Sequence, residues 1–312
     1  MKKIVIGIVV LGLIIGGYFL FTKFIQKESI VCEEGFRFVP SSQTCEPATI
    51  ENSEMDITQI PFQIPGEDKI VNLKPDSQEG MYSATFKISD LDTEGFVSVK
   101  ESDIVMYEND LVVIPFFVNA GGTGQFLYIG LFDIKDKRHT SSVFIGDRVS
   151  IDSIVVKNSK VHALFKTRLA SESFMAEPTI PSEVVLEVKD NILNEILRLE
   201  NARFEDIELK DLPISSEGGN LIVKGAIPGN WYFEASAPYR IFDNEYNQIA
   251  LGSLQALSDW MTTQRVPFEL EISVSSLNYS GKAILIIESS NMQGDEAGER
   301  LVKRMYIPIS IK

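Results

Sequence analysis

Eighteen consecutive uncharged residues, 4–21, follow Lys2 and Lys3 and constrain the topology of everything after them. An apolar run of that length crosses the hydrocarbon core of a bilayer as one helix. Lys23 closes the run, with Phe24 and Ile25 beside it, and its long side chain reaches the interface from there. A secretory signal has a shorter apolar core and a small-x-small cleavage site. Here the run ends in Tyr18, Phe19, Leu20 and Phe21. Cys32 follows Val31 rather than a small residue and lies well past the run, which fits lipoprotein processing poorly. Two lysines ahead of the span and acids beyond it orient the N-terminus inward. The sequence therefore predicts an uncleaved anchor over residues 1–27, single-pass in the cell membrane. The alternative is a cleaved signal peptide, and in either case the bulk of the chain is extracytoplasmic.

The net charge of the chain is -15, and the anchor holds four of its 29 basic residues (Lys2, Lys3, Lys23, Lys27) and no acid. The remainder has 29 − 4 = 25 basic against 44 acidic residues, a net charge of -19. A surface that acidic repels phosphate backbones and anionic lipid headgroups, so nucleic acid is set aside as a partner. Cationic ligands and metal ions suit it better.

The chain has two cysteines, Cys32 and Cys45, separated by a stretch that contains the turn signal Pro40-Ser41-Ser42. An extracytoplasmic location permits a disulfide between them. Closing so short a loop is worth about 3 kcal/mol in the chain-entropy model. The alternative is a pair of free thiols. Two cysteines and two distant histidines, His139 and His162, do not make a zinc cluster at the usual spacings.

Residues 46–63 are polar, contain Pro47 and Pro61, and read as a linker, so 28–63 is taken as cysteine loop and linker. From residue 64 the pattern is β. Alternation over 81–88 and the apolar, β-branched and aromatic runs 111–118 and 126–132 predict strands, with Asn119-Ala120-Gly121-Gly122-Thr123-Gly124 as a hairpin loop. Further strands are expected over 143–145, 151–156, 161–167 and 184–188, which gives a β-rich ectodomain over 64–190. In residues 191–200, Ile192, Leu193, Ile196, Leu197 and Leu199 fall near helical spacing behind Asn191, so a short helical connector is expected over 191–203. Beyond it come strands at 221–225, 231–236, 239–242, 249–254, 268–274, 283–288 and 305–311. Seven short strands with turn residues between them predict an immunoglobulin-like β-sandwich over 204–312. The predicted fold class is all-β: an N-terminal transmembrane helix, a β-rich domain and this sandwich.

The C-terminal stretch carries Val223-Lys224-Gly225-Ala226, Pro228-Gly229-Asn230-Trp231-Tyr232-Phe233-Glu234-Ala235-Ser236, Asp243, Gln255-Ala256, Asp259-Trp260-Met261-Thr262-Thr263 and Val266-Pro267-Phe268-Glu269. With these motifs it resembles the immunoglobulin-like domain of bacterial spore germination proteins, the GerM-associated Gmad family. It departs from that pattern at Asn244-Glu245-Tyr246-Asn247, where the family favours glycine, and at Asn291-Met292. The middle stretch resembles a β-rich ectodomain of bacterial membrane-anchored proteins. The residues that carry this are Gly121-Gly122-Thr123-Gly124-Gln125-Phe126, Phe144-Ile145-Gly146-Asp147-Arg148, Thr167-Arg168 and Met175-Ala176-Glu177-Pro178. These resemblances imply location and architecture and no established activity. Trp231, Phe233, Trp260 and Phe268 have the apolar area for an inter-sheet core. Glu234 is placed either toward a ligand or against Arg240 across the sheet.

One segment has metal-ligand spacing. Counting from Asp90, oxygens fall at positions one (Asp90), three (Asp92) and five (Glu94), glycine at six (Gly95) and a carboxylate at twelve (Glu101). That is the calcium-loop arrangement except for glutamate at five. The competing reading is an acidic β-turn that binds nothing. His139 lies in the basic run Lys135-Asp136-Lys137-Arg138-His139 and reads as part of a solvated turn. No nucleophile elbow and no His-Glu-x-x-His helix is present. The sequence therefore points to a non-catalytic cell-envelope protein whose β domains bind another envelope protein or a cell-wall polymer, with no required cofactor beyond that calcium option. The alternatives are a calcium-dependent extracellular binding module and, less well supported, a cell-wall-active enzyme.

Overall fold

The structure, a computed structural model, describes residues 36–39, 44–47, 55–88, 93–108, 110–169, 171–290 and 302–312. The chain divides into two compact units, Met1–Pro47 and Ala48–Lys312. In the first, β1 (Phe36–Val39) and β2 (Thr44–Pro47) form an antiparallel hairpin with Phe38 opposite Cys45. The expected anchor, Cys32, Asp90 and Asp92 lie outside the described residues. Among the described residues no helix is long and apolar enough to cross a membrane.

The second unit begins with a 3₁₀ turn (Ile57–Gln59) and the small hairpin of β3 (Pro61–Gln63) and β4 (Ile70–Asn72). Ile57, Ile60 and Phe62 are buried, so the end of the expected linker is part of a core. Next come β5 (Lys74–Pro75), β6 (Met81–Lys87), β7 (Glu94–Lys100), β8 (Val105–Glu108), β9 (Leu111–Asn119), β10 (Phe126–Asp133) and β11 (Arg138–Asp147). They form one sheet in the order β11-β10-β9-β7-β6-β5, with β8 also on β9. Then follow β12 (Ser150–Lys157), β13 (Lys160–Thr167), β14 (Ile180–Lys189) and β15 (Ile192–Glu200). The remaining strands are β16 (Glu208–Leu209), β17 (Ile214–Ser215), β18 (Asn220–Pro228), β19 (Ser236–Asp243), β20 (Gln248–Gln255), β21 (Arg265–Ser273), β22 (Gly281–Glu288) and β23 (Arg304–Ile311). A one-turn helix, α1 (Val274–Leu277), separates β21 from β22. β16, β18 and β21 make a small sheet. The rest join one nine-stranded sheet, β12-β13-β14-β15-β23-β22-β19-β20, with β17 beside β23.

Side-chain alternation explains how these sheets stack. In β9, Val112, Ile114, Phe116 and Val118 enter a core with Phe62, Phe86 and Phe132, whereas Val113 enters a second core on the opposite face. That second core joins Leu127, Ile129 and Leu131 to Val161, Phe165, Val184 and Leu186 of the nine-stranded sheet. A third core holds Leu197 and Leu199 of β15 with Met305, Leu285, Trp231 and Phe268. Cross-strand register puts Val184 opposite Arg198 and Leu199 opposite Met305, on alternate faces. The seven-stranded sheet thus covers one face of the long sheet at its β12–β15 end. The three-stranded sheet covers the other face at its β23–β20 end.

Pro115 of β9 and Pro308 of β23 sit inside interior strands, where a missing N–H would ordinarily break a ladder. Pro115 lies between Val113, which pairs with β8, and Phe116, which pairs with β7. Pro308 lies between Tyr306, which pairs with β15, and Ile309, which pairs with β17. Each marks the point where the strand changes partner.

Several expectations are corrected. Residues 191–200 are not a helix. They form β15, which pairs with β14 over its length and with β23 through Arg198–Tyr306, Leu199–Met305 and Glu200–Arg304. The expected strand at 231–236 is a 3₁₀ turn (Gly229–Trp231) followed by a tight turn with Glu234 and Ala235 at positive φ. Gly229 is required there, because a Cβ would lie 2.2 Å from the carbonyl oxygens of both Trp260 and Thr262. Trp231 and Phe268 are core residues as expected, and Trp260 packs on that core partly exposed. Phe233 is 43% exposed and is not a core residue.

Leu199 is fully buried on the strand that both halves share. Leu199→Ala should destabilise the unit by about 2–5 kcal/mol. Denaturant melts followed by tryptophan fluorescence (Trp231, Trp260) and by amide exchange in β9 should shift together. A shift confined to the tryptophan signal would contradict the shared sheet.

Candidate binding surface

The motifs quoted for the middle region are far apart in sequence and meet at one end of the two packed sheets. The β9–β10 loop is organised by Asn119, whose Oδ1 accepts from the Gly121 N–H at 2.9 Å. Its Nδ2 donates to the carbonyls of Gly122 (3.0 Å) and Gly124 (2.7 Å). Gly121 sits at φ +75°, a region that favours glycine. The β11–β12 turn places Arg148 against this loop. Its backbone N–H donates to Gln125 O at 2.7 Å. Its guanidinium donates to Thr123 O (3.0 Å), Thr123 Oγ1 (2.8 Å) and Asp147 Oδ2 (2.6 Å). Asp147 Oδ1 in turn accepts from the Gln125 N–H at 2.9 Å. Arg168 reaches over from β13's end and donates to Arg148 O at 2.5 Å.

Above this polar frame lies apolar surface. The Arg148 guanidinium carbon is 4.9 Å from the ring centroid of Phe174, a cation–π distance. Phe174 is 68% exposed and Met175 is 94% exposed. Phe144, 47% exposed, packs with Phe126 and Tyr128 at centroid distances of 6.3 and 5.4 Å. Side chains as apolar as these, held in place by a hydrogen-bonded frame, form a contact surface with little ordering cost on binding.

Of the sequence-predicted calcium ligands, Asp90 and Asp92 lie outside the described residues, and Glu94 and Glu101 are not brought together. Glu94 opens β7 opposite Lys87, and Glu101 follows the strand's end in a 3₁₀ turn. Seven residues of extended chain separate them by about 23 Å, so these two carboxylates do not share one ion. Among the described residues, no group of three or more His, Cys, Asp or Glu side chains is placed to hold a metal. Glu234 does not meet Arg240. Arg240 pairs with Glu288, which also accepts from Arg304 Nε at 2.8 Å. In the turn at 244–247, Tyr246 takes a positive φ of 63°, and Asp243 Oδ1 accepts the N–H groups of Glu245 and Asn247.

Sequence reading missed two buried polar groups. His162 Nδ1 lies 2.8 Å from Glu183 Oε1, and Glu183 Oε2 accepts the Phe204 N–H, also at 2.8 Å. The signal was a histidine and a glutamate inside apolar alternation, which cross-strand pairing alone resolves. His139 is not on a solvated turn. Its ring stacks on Phe132 (centroids 4.2 Å apart) and meets Phe116 edge-on. Nδ1 accepts the Gln63 N–H at 3.1 Å, and Nε2 lies 3.0 Å from Ser141 O. No protein family, curated protein or solved structure matches this chain.

Burial holds the His139 pKa down at about 4, against an ordinary 6.5. Between those values the unfolded state binds a proton that the folded state does not. The histidine therefore costs nothing above pH 6.5, and stability is lost as pH falls from 6.5 to about 4, by up to about 3 kcal/mol. Urea melts across that window should show the loss, and His139→Leu should flatten it. An unchanged profile in the variant would contradict this assignment.

Proposed function

We propose that this chain is a non-catalytic, membrane-anchored cell-envelope protein whose β domains present binding surfaces to an envelope protein or a cell-wall polymer. The observation that carries this reading is exposed Phe174, its ring 4.9 Å from the Arg148 guanidinium on a hydrogen-bonded frame, with exposed Met175 next to it in sequence. Large apolar side chains cost solubility when left bare, so Phe174 and Met175 exposed beside this frame fit contact with a partner. The apolar run at residues 4–21 supports an anchor, and the net charge of -19 beyond it supports a soluble, extracytoplasmic body. Cys32 and Cys45 suit a disulfide in an extracytoplasmic protein. Resemblance to the spore germination domain agrees with an envelope location.

The test is photo-crosslinking in intact cells from a photoreactive residue at position 175, with and without Phe174→Ser. The proposal expects crosslinks to an envelope protein or cell-wall fragment that fall about tenfold with the Phe174 change. Crosslinks only to cytosolic proteins, or a pattern indifferent to Phe174, would contradict it.

A further inference from the structure

An edge strand carries unpaired backbone groups, and folded proteins blunt such edges with charge, proline, irregular pairing or cover. The sheets of three or more strands end in β11 and β5, β12 and β20, and β16 and β21. All but β20 are blunted. β5 has two residues, one of them Pro75, and β16 has two, one of them Glu208. β12 carries Asp152 and Lys157 and a register shift between Ile151 and Ser153. β21 exposes Arg265, Pro267, Glu269 and Glu271. β11 is tied to β15, whose Arg198 donates to the carbonyls of Phe144 and Ile145 and whose Leu193 N–H donates to Ser141 Oγ.

β20 has none of these devices along most of its length. From Tyr246 to Ser258 the chain has no charged residue and no proline. A register shift at Ile249 leaves Ala250 to Gln255 as a regular stretch. β19 lies on one side of it and, among the described residues, no strand lies along the other. The hydrogen-bond phase shows which groups are open. The Ala256 N–H donates to Ala235 O at 2.8 Å, and Ser253 lies opposite Pro238, which has no N–H to give. Antiparallel pairs alternate between bonded and non-bonded. Gly252 and Leu254 therefore bond to β19, and the N–H and C=O groups of Leu251, Ser253 and Gln255 point away from it. Leu257 is next in that outward row and donates its N–H to Pro267 O of β21 at 2.9 Å. The three residues before it have no such neighbour. Leu254 is buried in the core, whereas Leu251, on the opposite face, is 70% exposed.

The occupant of such an edge is an extended strand, and charge decides whose. Beyond residue 27 the chain has 25 basic against 44 acidic residues, so two copies repel wherever their acids face each other. The stretch 246–258 is edge on which they would not. A strand of opposite charge would be read by acids along the edge, and this stretch holds none. The edge is also complementary to itself. Across a two-fold axis at Ser253, the open groups of Leu251, Ser253 and Gln255 meet those of Gln255, Ser253 and Leu251 of the second copy, donor to acceptor in both directions. The same register sets the exposed Leu251 opposite Gln255 of the second copy and covers it. We propose that β20 pairs antiparallel with β20 of a second copy, so that the two nine-stranded sheets continue as one. The inference goes beyond the display reading and does not rest on it.

The experiment is sedimentation velocity of the full chain in density-matched detergent across a micromolar range, paired with hydrogen exchange read by mass spectrometry. Ser253→Pro removes an N–H that points away from β19, so the ladder within the chain is spared. Leu251→Glu puts a charge of the repelling sign on an exposed position. Thermal melts report that each variant is folded. The expected result is a dimer of the parent chain, exchange protection over 250–255 that rises with concentration, and a dissociation constant raised about tenfold or more in each variant. A parent chain that stays monomeric throughout would overturn the proposal. So would a dimer that a folded variant leaves unchanged, which is the result that association through residues 4–21 or Phe174 would give. Should Ser253→Pro fail to fold, Leu251→Glu carries the test, because its side chain lies outside the core. Photo-crosslinks from position 175 that persist in a chain found monomeric would leave the display reading intact while removing this one.

Discussion

The three-residue pairing of β15 with β23 is the constraint on which the rest depends. Without it, β12–β15 would end as an open edge and β22–β23 would begin another. With it, the long sheet continues from the middle of the chain to its last strand, and an edge that invites mispairing is removed. The register shift at Ile196, which breaks the period-2 alternation, then lets one strand serve a different core on each face. Leu193 faces the core under the seven-stranded sheet, and Leu197 and Leu199 face the core that holds Trp231. The two halves are thus layers offset along a common sheet.

That offset accounts for where polar groups gather. A sheet face covered at one end and bare at the other must change composition along each cross-strand row. The row beginning at Phe165 does so from β14 onward, passing through Ser182 and Glu200 to Arg304 and Glu288. Arg304 links Glu288 and Glu200 across three strands, and Arg240 extends the ladder. Part-exposed pairs of this kind contribute little individually, about 0–1 kcal/mol each. Their geometric effect is larger, since they hold the register of the seam. Near the same end of β11, the Arg148 frame ties the β11–β12 turn to the β9–β10 loop.

Much of the strand pattern was legible from the sequence. β9 and β10 are continuous apolar runs because both of their faces are buried, and the glycine loop between them is a hairpin turn as its composition implies. β15 was not legible, for a physical reason. Its apolar residues face two cores on opposite sides, and a register shift near Val185 disturbs the alternation, so Ile192, Leu193, Ile196, Leu197 and Leu199 imitate helical spacing. Within the carboxylate pattern from Asp90 to Glu101, the described part is strand over Glu94–Lys100. Its spacing matched a loop, but Gly95, Val97 and Val99 are the buried side of a strand, which carries Glu94 and Glu101 to opposite ends. The candidate surface could be read in part: its motifs were visible, but their convergence on Arg148 depends on contacts between β9–β10 and β11–β12 that no local pattern encodes.

The most direct measurement of the central claim is a set of cross-strand proton contacts by NMR between residues 198–200 and 304–306. A continuous sheet predicts close Hα and amide contacts at Arg198–Tyr306, Leu199–Met305 and Glu200–Arg304. Their absence, together with sequential amide contacts of helical type through residues 192–200, would show that the two halves do not share a sheet.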